Sequence, residues 1–543
     1  MRRRLLLGFV VMVAMGLPAV AGAHVLRVGK YHGIKGQYKT IQAAVKAAKP
    51  GDWILIGPGD YKTHSSSIPT TGHPADTFPA AVLITKPRLR LRGMDRNKVI
   101  VDGTKSGPAC NNVKGDQNFG PTVKGGPGGL NGIMVWEADN VWVQNLTACN
   151  FLGGNGAAGN EIWWNGGADS GGATKVSIHG WGFLGSYLTA TSTFIDGNGL
   201  SDKSEHSAAQ YGIFSSNWNG GTWDQTYASN FNDSGYYIGA CGQQCNQTVN
   251  HAWSEFNALG YSGSNSGGVL IVKNSEFDNN KDGFDTNTQN GDNPPPQNGA
   301  CPNGKKPTVK GANSCWVFMD NYVHDNNLVN LPYAGSAGEG PVGTGMSVSG
   351  GRNDSIINNR FSNNKAWGVI LVPFPDSGPP CTGGTPNSPF TGQGSCLFDD
   401  WGDAIIHNKF THNGGYGNPT NGDFDHLNFE SHPSSCFRAN TDPAGLSSDS
   451  QKLEQKYPTC TKSNVPLDFN EPFLNEVLCD SQVSDPPFGC QPGDHYPRRT
   501  KVVMHPLPPA GKLGTMPNPC SGVPKNPWCP PGHRAARDTR FTG

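Results

Sequence analysis

The chain has 543 residues with 42 basic and 42 acidic side chains, so its formal net charge is zero and no single-sign field points to nucleic acid or an anionic membrane as a partner. Seventy-four glycines and many aspartates and asparagines favour turns over helix, the composition of an all-β repeat. Fourteen cysteines, an even number, favour disulfides over zinc or reactive thiols if the chain is exported.

Export is what the first residues predict. Arg2 to Arg4 form a charged start, Leu5 to Val20 an apolar run, and Ala21-Gly22-Ala23 a small-residue cleavage site before His24, so residues 1–23 read as a secretory signal. No later segment approaches the roughly 20 apolar residues that cross a bilayer. The mature protein is therefore expected to be secreted and extracellular, without a membrane span.

Thr40 to Lys49 predicts a helix whose apolar face is Ile41, Ala44, Val45 and Ala48, ended by Pro50-Gly51. Strand-like runs follow at Trp53–Ile56, Val82–Ile84, Leu89–Leu91, Val99–Val101, Ile133–Trp136 and Val141–Val143, with no helical period between them. Short strands so closely spaced suggest a coiled solenoid more than a sandwich. A phenylalanine set among small polar residues recurs at Phe194, Phe231, Phe256, Phe277, Phe361 and Phe410, with Val323 as a variant. Proline- and glycine-rich insertions at 293–311 and 373–394 interrupt this rhythm, as side loops on a solenoid do. Cys241 and Cys245, Cys301 and Cys315, and Cys381 and Cys396 fall at short separations, whereas Cys436, Cys460, Cys479, Cys490, Cys520 and Cys529 crowd the final segment.

The helix and strand "YKTIQAAVKAAKPGDWILIGPGDY", the "LRLRG" and "VIVDG" pieces and the N-x-x-F-x-x-N coils together resemble right-handed parallel β-helix proteins of the pectin lyase-like superfamily. The resemblance implies an all-β, right-handed parallel β-helix solenoid over residues 24–425, with an N-terminal capping helix. Residues 426–543 then form a disulfide-rich C-terminal cap or tail. Asparagines at the turns are expected to hydrogen-bond along the stack in ladders.

One stretch draws attention for chemistry. "DNNKDGFDTNTQ" carries Asp278, Asp282 and Asp285 around Gly283, but Gln289 stands where an EF-hand needs its bidentate glutamate, which leaves a looser calcium site on the three aspartates. "NKDGFD" resembles the N-T-D-G-x-D motif of polygalacturonase-type hydrolases, which implies a catalytic carboxylate at Asp282, with Asp285 as the second carboxylate. It also resembles the D-D-G-x-D calcium motif of a pectate lyase family. That resemblance implies calcium on Asp282 and Asp285, and a base that falls at Ser347 in "GTGMSVSGG", with Arg352 close behind. The expectation is an acidic-polysaccharide protein, read first as a calcium-assisted lyase using Asp282, Asp285 and Arg352. A non-catalytic extracellular binding scaffold and a polygalacturonase-like hydrolase stand as alternatives.

The remaining motifs separate into packing and chemistry less sharply. Trp163, Trp164, Trp181, Trp218 and Trp223 fit either a sugar-stacking groove or core packing. His324, His407 and His412 lie in asparagine-rich turns without metal-ligand spacing, and read as exposed turn residues.

Overall fold

Non-glycine residues with left-handed backbone recur in pairs along the chain: Asn145 and Asn150, Asn274 and Asn279, Asn358 and Asn363, His407 and His412. Asparagine enters this region at lower cost than most side chains, because its short amide bonds locally. The last three pairs each bracket one short strand, as Asn274 and Asn279 do Glu276–Asp278, whereas Asn145 turns the chain within the longer strand Val141–Cys149.

The computed structural model describes residues 23–69, 78–123, 125–167, 178–196, 208–242, 244–289, 295–377, 381–388, 392–448, 452–467, 469–481, 489–509 and 511–531. In it the strands stack into an eighteen-stranded and a ten-stranded sheet. Pairing within both is parallel, coil upon coil. The larger sheet bends into two arms: Gln247–Glu255 pairs with Leu270–Lys273 over its first half and with Glu276–Asp278 over its second. A coil thus has three sides, and the chain is a parallel β-helix.

The inside of the coil holds Ile133, Ile213, Phe284, Met346 and Val369 from the ten-stranded sheet in one cluster with Phe277, Val323, Phe361 and Phe410 from the second arm. The last four are in register, so the sequence repeat is real there. Phe256 departs from it. Its left-handed backbone puts it at a corner, where its ring stacks on His505 at 4.0 Å instead of entering the core.

Two asparagine ladders run along the stack. Asn257, Asn280, Asn326, Asn364 and Asn413 pass side-chain bonds from Nδ2 to the next Oδ1 at 3.1, 3.0, 3.1 and 3.3 Å. Asn321, Asn359, Asn408 and Asn440 form the second, which ends on Glu454 Oε1 at 2.8 Å.

The expected helix is present as Ile41–Ala47, with Thr40 Oγ1 accepting from the Ala43 N–H at 3.2 Å. The Gln42 side chain meets the edge of the ten-stranded sheet like a short piece of strand: it donates to the Leu83 carbonyl at 3.2 Å and accepts from the Leu83 N–H at 2.7 Å. The expected signal, residues 1–23, lies outside the described residues except for Ala23.

All fourteen cysteines are paired, including the three close pairs picked out in the sequence, so Cys241 and Cys245 hold each other and not zinc. The coil runs beyond residue 425, since Cys436–Arg438 still pairs in parallel with Ala404–Ile406. The C-terminal segment also does more than close one end. It returns along the solenoid, from Tyr496 against Trp367, through His505 bonded to Asn230, to Trp528 donating to the Ile34 carbonyl at 3.1 Å. Arg92 and Arg96 are buried beneath it, donating to the carbonyls of Ser521 and Gly514 at 2.6 and 3.2 Å.

Asn326→Leu should lower unfolding stability by about 1–3 kcal/mol, because it strands ladder partners in a dry interior; denaturant melts would measure this. Truncation after residue 497 should lower the melting temperature, since it removes the carbonyls that receive Arg92 and Arg96, and an unchanged melt would contradict the packing described.

Candidate functional site on the ten-stranded sheet

Strand Asp282–Asn287 lies between Leu259–Ser264 and Thr344–Ser349. Phe284 points into the coil, stacked on Tyr261 at 4.1 Å. By strand alternation its neighbour Asp285 faces the outside of the sheet. There it continues a row in register, Trp163, Phe214, Tyr237, Ser262, Asp285, Ser347. The first three rings stack, with centroids 4.8 and 4.7 Å apart.

Gly283 lets the coils approach closely at this point. A Cβ there would stand 2.5 Å from the Gly345 carbonyl oxygen. Both aspartates reach the same hydroxyl: Ser347 Oγ is 3.0 Å from Asp282 Oδ2 and 2.7 Å from Asp285 Oδ1. One hydroxyl proton serves only one acceptor at a time, so the pair is satisfied best when it holds a proton of its own. Ser349 donates to Asp285 at 3.0 Å, Asn287 donates to its other oxygen, and the Phe284 N–H donates to Asp282 at 3.2 Å. Burial pushes both carboxyls up, Asp282 well above the usual carboxylate range, and the Asp285 charge adds to the rise at Asp282.

Lys281 is buried beside them. Its ammonium donates to the carbonyls of Gly338, at 3.0 Å, and Gly340, and burial pushes it down to about 8. Asp480, from helix Glu471–Ser481, interacts favourably with that ammonium and accepts from the Val342 N–H at 3.2 Å. The C-terminal segment therefore forms part of the surroundings of Asp282.

The four residues singled out in the sequence fall in three places. Asp282 and Asp285 come together. Asp278 does not join them, because the left-handed corner at Asn279 separates the arm that carries it from the ten-stranded sheet. It accepts instead from Trp253 Nε1 at 2.7 Å and from Asn279 at 2.6 Å. Arg352 leaves its coil at the Gly350 turn; its guanidinium donates to the Gly383 carbonyl at 2.7 Å and lies over Trp401, 5.5 Å from the ring centroid. Asp399, Glu430 and Asp403 are its acidic neighbours, so the base expected at Arg352 is not delivered to the carboxyl pair.

Ser349, Asn287, Lys281 and Asp480 went unselected in the sequence. The alternation Ser-Val-Ser at 347–349 was a usable signal for the first, since it puts two hydroxyls on one face of a strand. Asp480 had none. The tryptophan cluster resolves mostly into packing: Trp164, Trp218 and Trp223 are buried in the main core, Trp163 is buried in the outer aromatic row, and Trp181 is exposed. His324 is not a turn residue but part of strand Tyr322–His324, half-buried against acidic neighbours.

Three parallel sides, inward phenylalanines and ladder asparagines decide the fold. The chain is a parallel β-helix. No protein-family profile matches it and no curated protein sequence is similar to it. Among solved structures, the mannuronan C-5 epimerase AlgE6 A-module of Azotobacter vinelandii is 14% identical, over 74% of this chain and 88% of that one, with a TM-score of 0.45. The family 28 exopolygalacturonase of Yersinia enterocolitica is 10% identical over 77% and 75%, with a TM-score of 0.42. Pectate lyase Pel9A is 14% identical over 82% and 88%, with a TM-score of 0.32. These likenesses carry nothing about reaction or substrate, which rest on the site.

The raised carboxyls make a pH prediction with a definite sign. A carboxyl whose folded pKa exceeds its unfolded value stabilises the fold fully below the unfolded value, 3.8 for aspartate, and that stability is lost as pH rises through the folded value. Asp285→Asn should therefore be less sensitive than the parent to a rise in pH from 4 to 8 in thermal melts; parallel profiles would contradict a proton-holding pair.

Proposed function

We propose that this protein acts outside the cell on an acidic polysaccharide laid along the outer face of the ten-stranded sheet, with Asp282 and Asp285 at the reacting end. The observation that carries this reading is the carboxyl pair bridged by Ser347, in register with the aromatic row of Trp163, Phe214 and Tyr237. Trp163 and Phe214 are themselves buried, so within this row Tyr237, half-buried and nearest the pair, is the ring that meets the apolar face of a sugar. A carboxyl pair that holds one proton supplies both an acid and a base. Seven disulfides fit an oxidising compartment, and among the described residues no helix is long and apolar enough to cross a membrane.

Of the reactions such a pair serves, acid–base cleavage of a glycosidic bond needs only the two carboxyls and a water. Calcium-assisted elimination needs a cation and a separate base. Calcium would have Asp282 and Asp285 as ligands, without Asp278, and with Arg352 held on the Gly383 carbonyl and over Trp401 the pair has no such base beside it, which favours hydrolysis. The helix Ile41–Ala47 is taken as the cap of the solenoid end, on the strength of the Gln42 pairing with Leu83.

A non-catalytic binding scaffold is the second reading. It is favoured by the burial of the pair, with Asp282 fully buried and Asp285 only 8% exposed.

Incubation of the mature protein with uronate polymers, with and without calcium, separates these readings. Reducing ends without ultraviolet absorbance mark hydrolysis, and calcium-dependent absorbance of unsaturated products marks elimination. Asp285→Asn should cut product release about 10²–10⁴-fold while polymer binding survives. Binding without products from the parent protein supports the scaffold, and neither binding nor products on any polymer removes both readings.

A further inference from the structure

The second arm of the larger sheet carries a different set of groups on its outer side. Glu255, Asp278 and His324 are in register on three successive coils, and Glu276 lies on the same strand as Asp278. One carboxylate oxygen each from Glu276 and Asp278 and a ring nitrogen of His324 all lie within 4.8 Å of one another. We propose that Glu276, Asp278 and His324 bind a divalent transition-metal ion that ties two neighbouring coils together on a face separate from the carboxyl pair.

Three features beyond proximity support this. First, the imidazole is already oriented: His324 Nδ1 is 2.8 Å from Asp325 Oδ2, outside the triad, while Nε2 faces Glu276 Oε1 at 3.1 Å. A carboxylate on one ring nitrogen is the usual way a metal-bound histidine is held, because it fixes the tautomer that leaves the other nitrogen's lone pair free. Second, Asp278 is anchored by Trp253 Nε1 and Asn279, and a carboxylate has more acceptor directions than these two donors fill. Third, Glu276, Asp278 and Asp325 act on this single imidazole, and Glu255 stands one coil beyond Asp278. Tyr227 donates to Glu255 at 2.7 Å without adding positive charge, and the Arg360 guanidinium is stacked on Tyr322 at 4.2 Å. A divalent cation would balance that excess of negative charge.

The site is open to an ion, since the Glu276 side chain is 47% exposed and that of His324 14%. One imidazole with two carboxylates suits zinc or manganese, whereas calcium prefers six to eight oxygens. Three protein ligands leave at least one position for water.

The test uses the intact disulfide-bonded protein after treatment with chelator, at one fixed pH. Zinc, manganese and calcium chlorides are added separately, with binding followed by calorimetry and stability by thermal melting. We expect zinc or manganese to bind at one equivalent and raise the melting temperature. Asp325→Asn should weaken binding about 10–100-fold by releasing the ring. Glu276→Gln, at an exposed position that keeps the fold intact, should weaken it as well, and His324→Ala should abolish it. Asp285→Asn should bind as the parent does, which separates failure here from failure of the polysaccharide reading. No saturable binding of zinc or manganese, or binding unchanged in both Glu276→Gln and His324→Ala, would overturn the proposal.

Discussion

Parallel coils stay in register only if every corner turns at the same place, and in this chain the corner is a residue with left-handed backbone whose neighbours' amides bond up and down the stack. Asn279 turns the chain while Asn280 links Asn257 to Asn326 through side-chain bonds of 3.1 and 3.0 Å. A one-residue slip would move each inward phenylalanine to the outside and break the ladder at once. The hydrophobic interior and the amide ladder therefore enforce the same register, and the outward rows follow from it.

Those rows carry the chemistry. Along the ten-stranded sheet, a dry aromatic run passes into hydroxyls and carboxyls, where the low-dielectric surroundings favour a protonated pair over two charges. Around the corner, the second arm presents Asp278 buried beside His324, with the Glu276 side chain open to water. Only three residues lie between Asp278 and Asp282, yet the intervening corner gives them different faces and different partners.

The returning C-terminal segment adds a long-range layer. Its backbone carbonyls receive the buried Arg92 and Arg96, and its helix brings Asp480 to Lys281. A solenoid made of local contacts thus gains connections between its two ends, and the surroundings of Asp282 depend on residues nearly two hundred positions away.

Much of the fold was legible in the amino-acid order. The helix at Ile41–Ala47, the in-register Phe277, Phe361 and Phe410, the asparagine ladders and three of the disulfides follow from short-range periodicity and spacing. That Asp282 and Asp285 belong together was also suggested by the NKDGFD stretch, which sets them close on one strand. Phe256 was misread because a phenylalanine at a corner and one in the core have the same sequence neighbours. The sequence by itself determined a stacked β-coil with an unusual acidic stretch, because strand period and turn chemistry are local properties. Only the tertiary structure decided that Asp278, Asp285 and Arg352 serve three different places. Which face a side chain occupies depends on the corners around it, and which partners it meets depends on coils and a C-terminal segment that are distant in sequence.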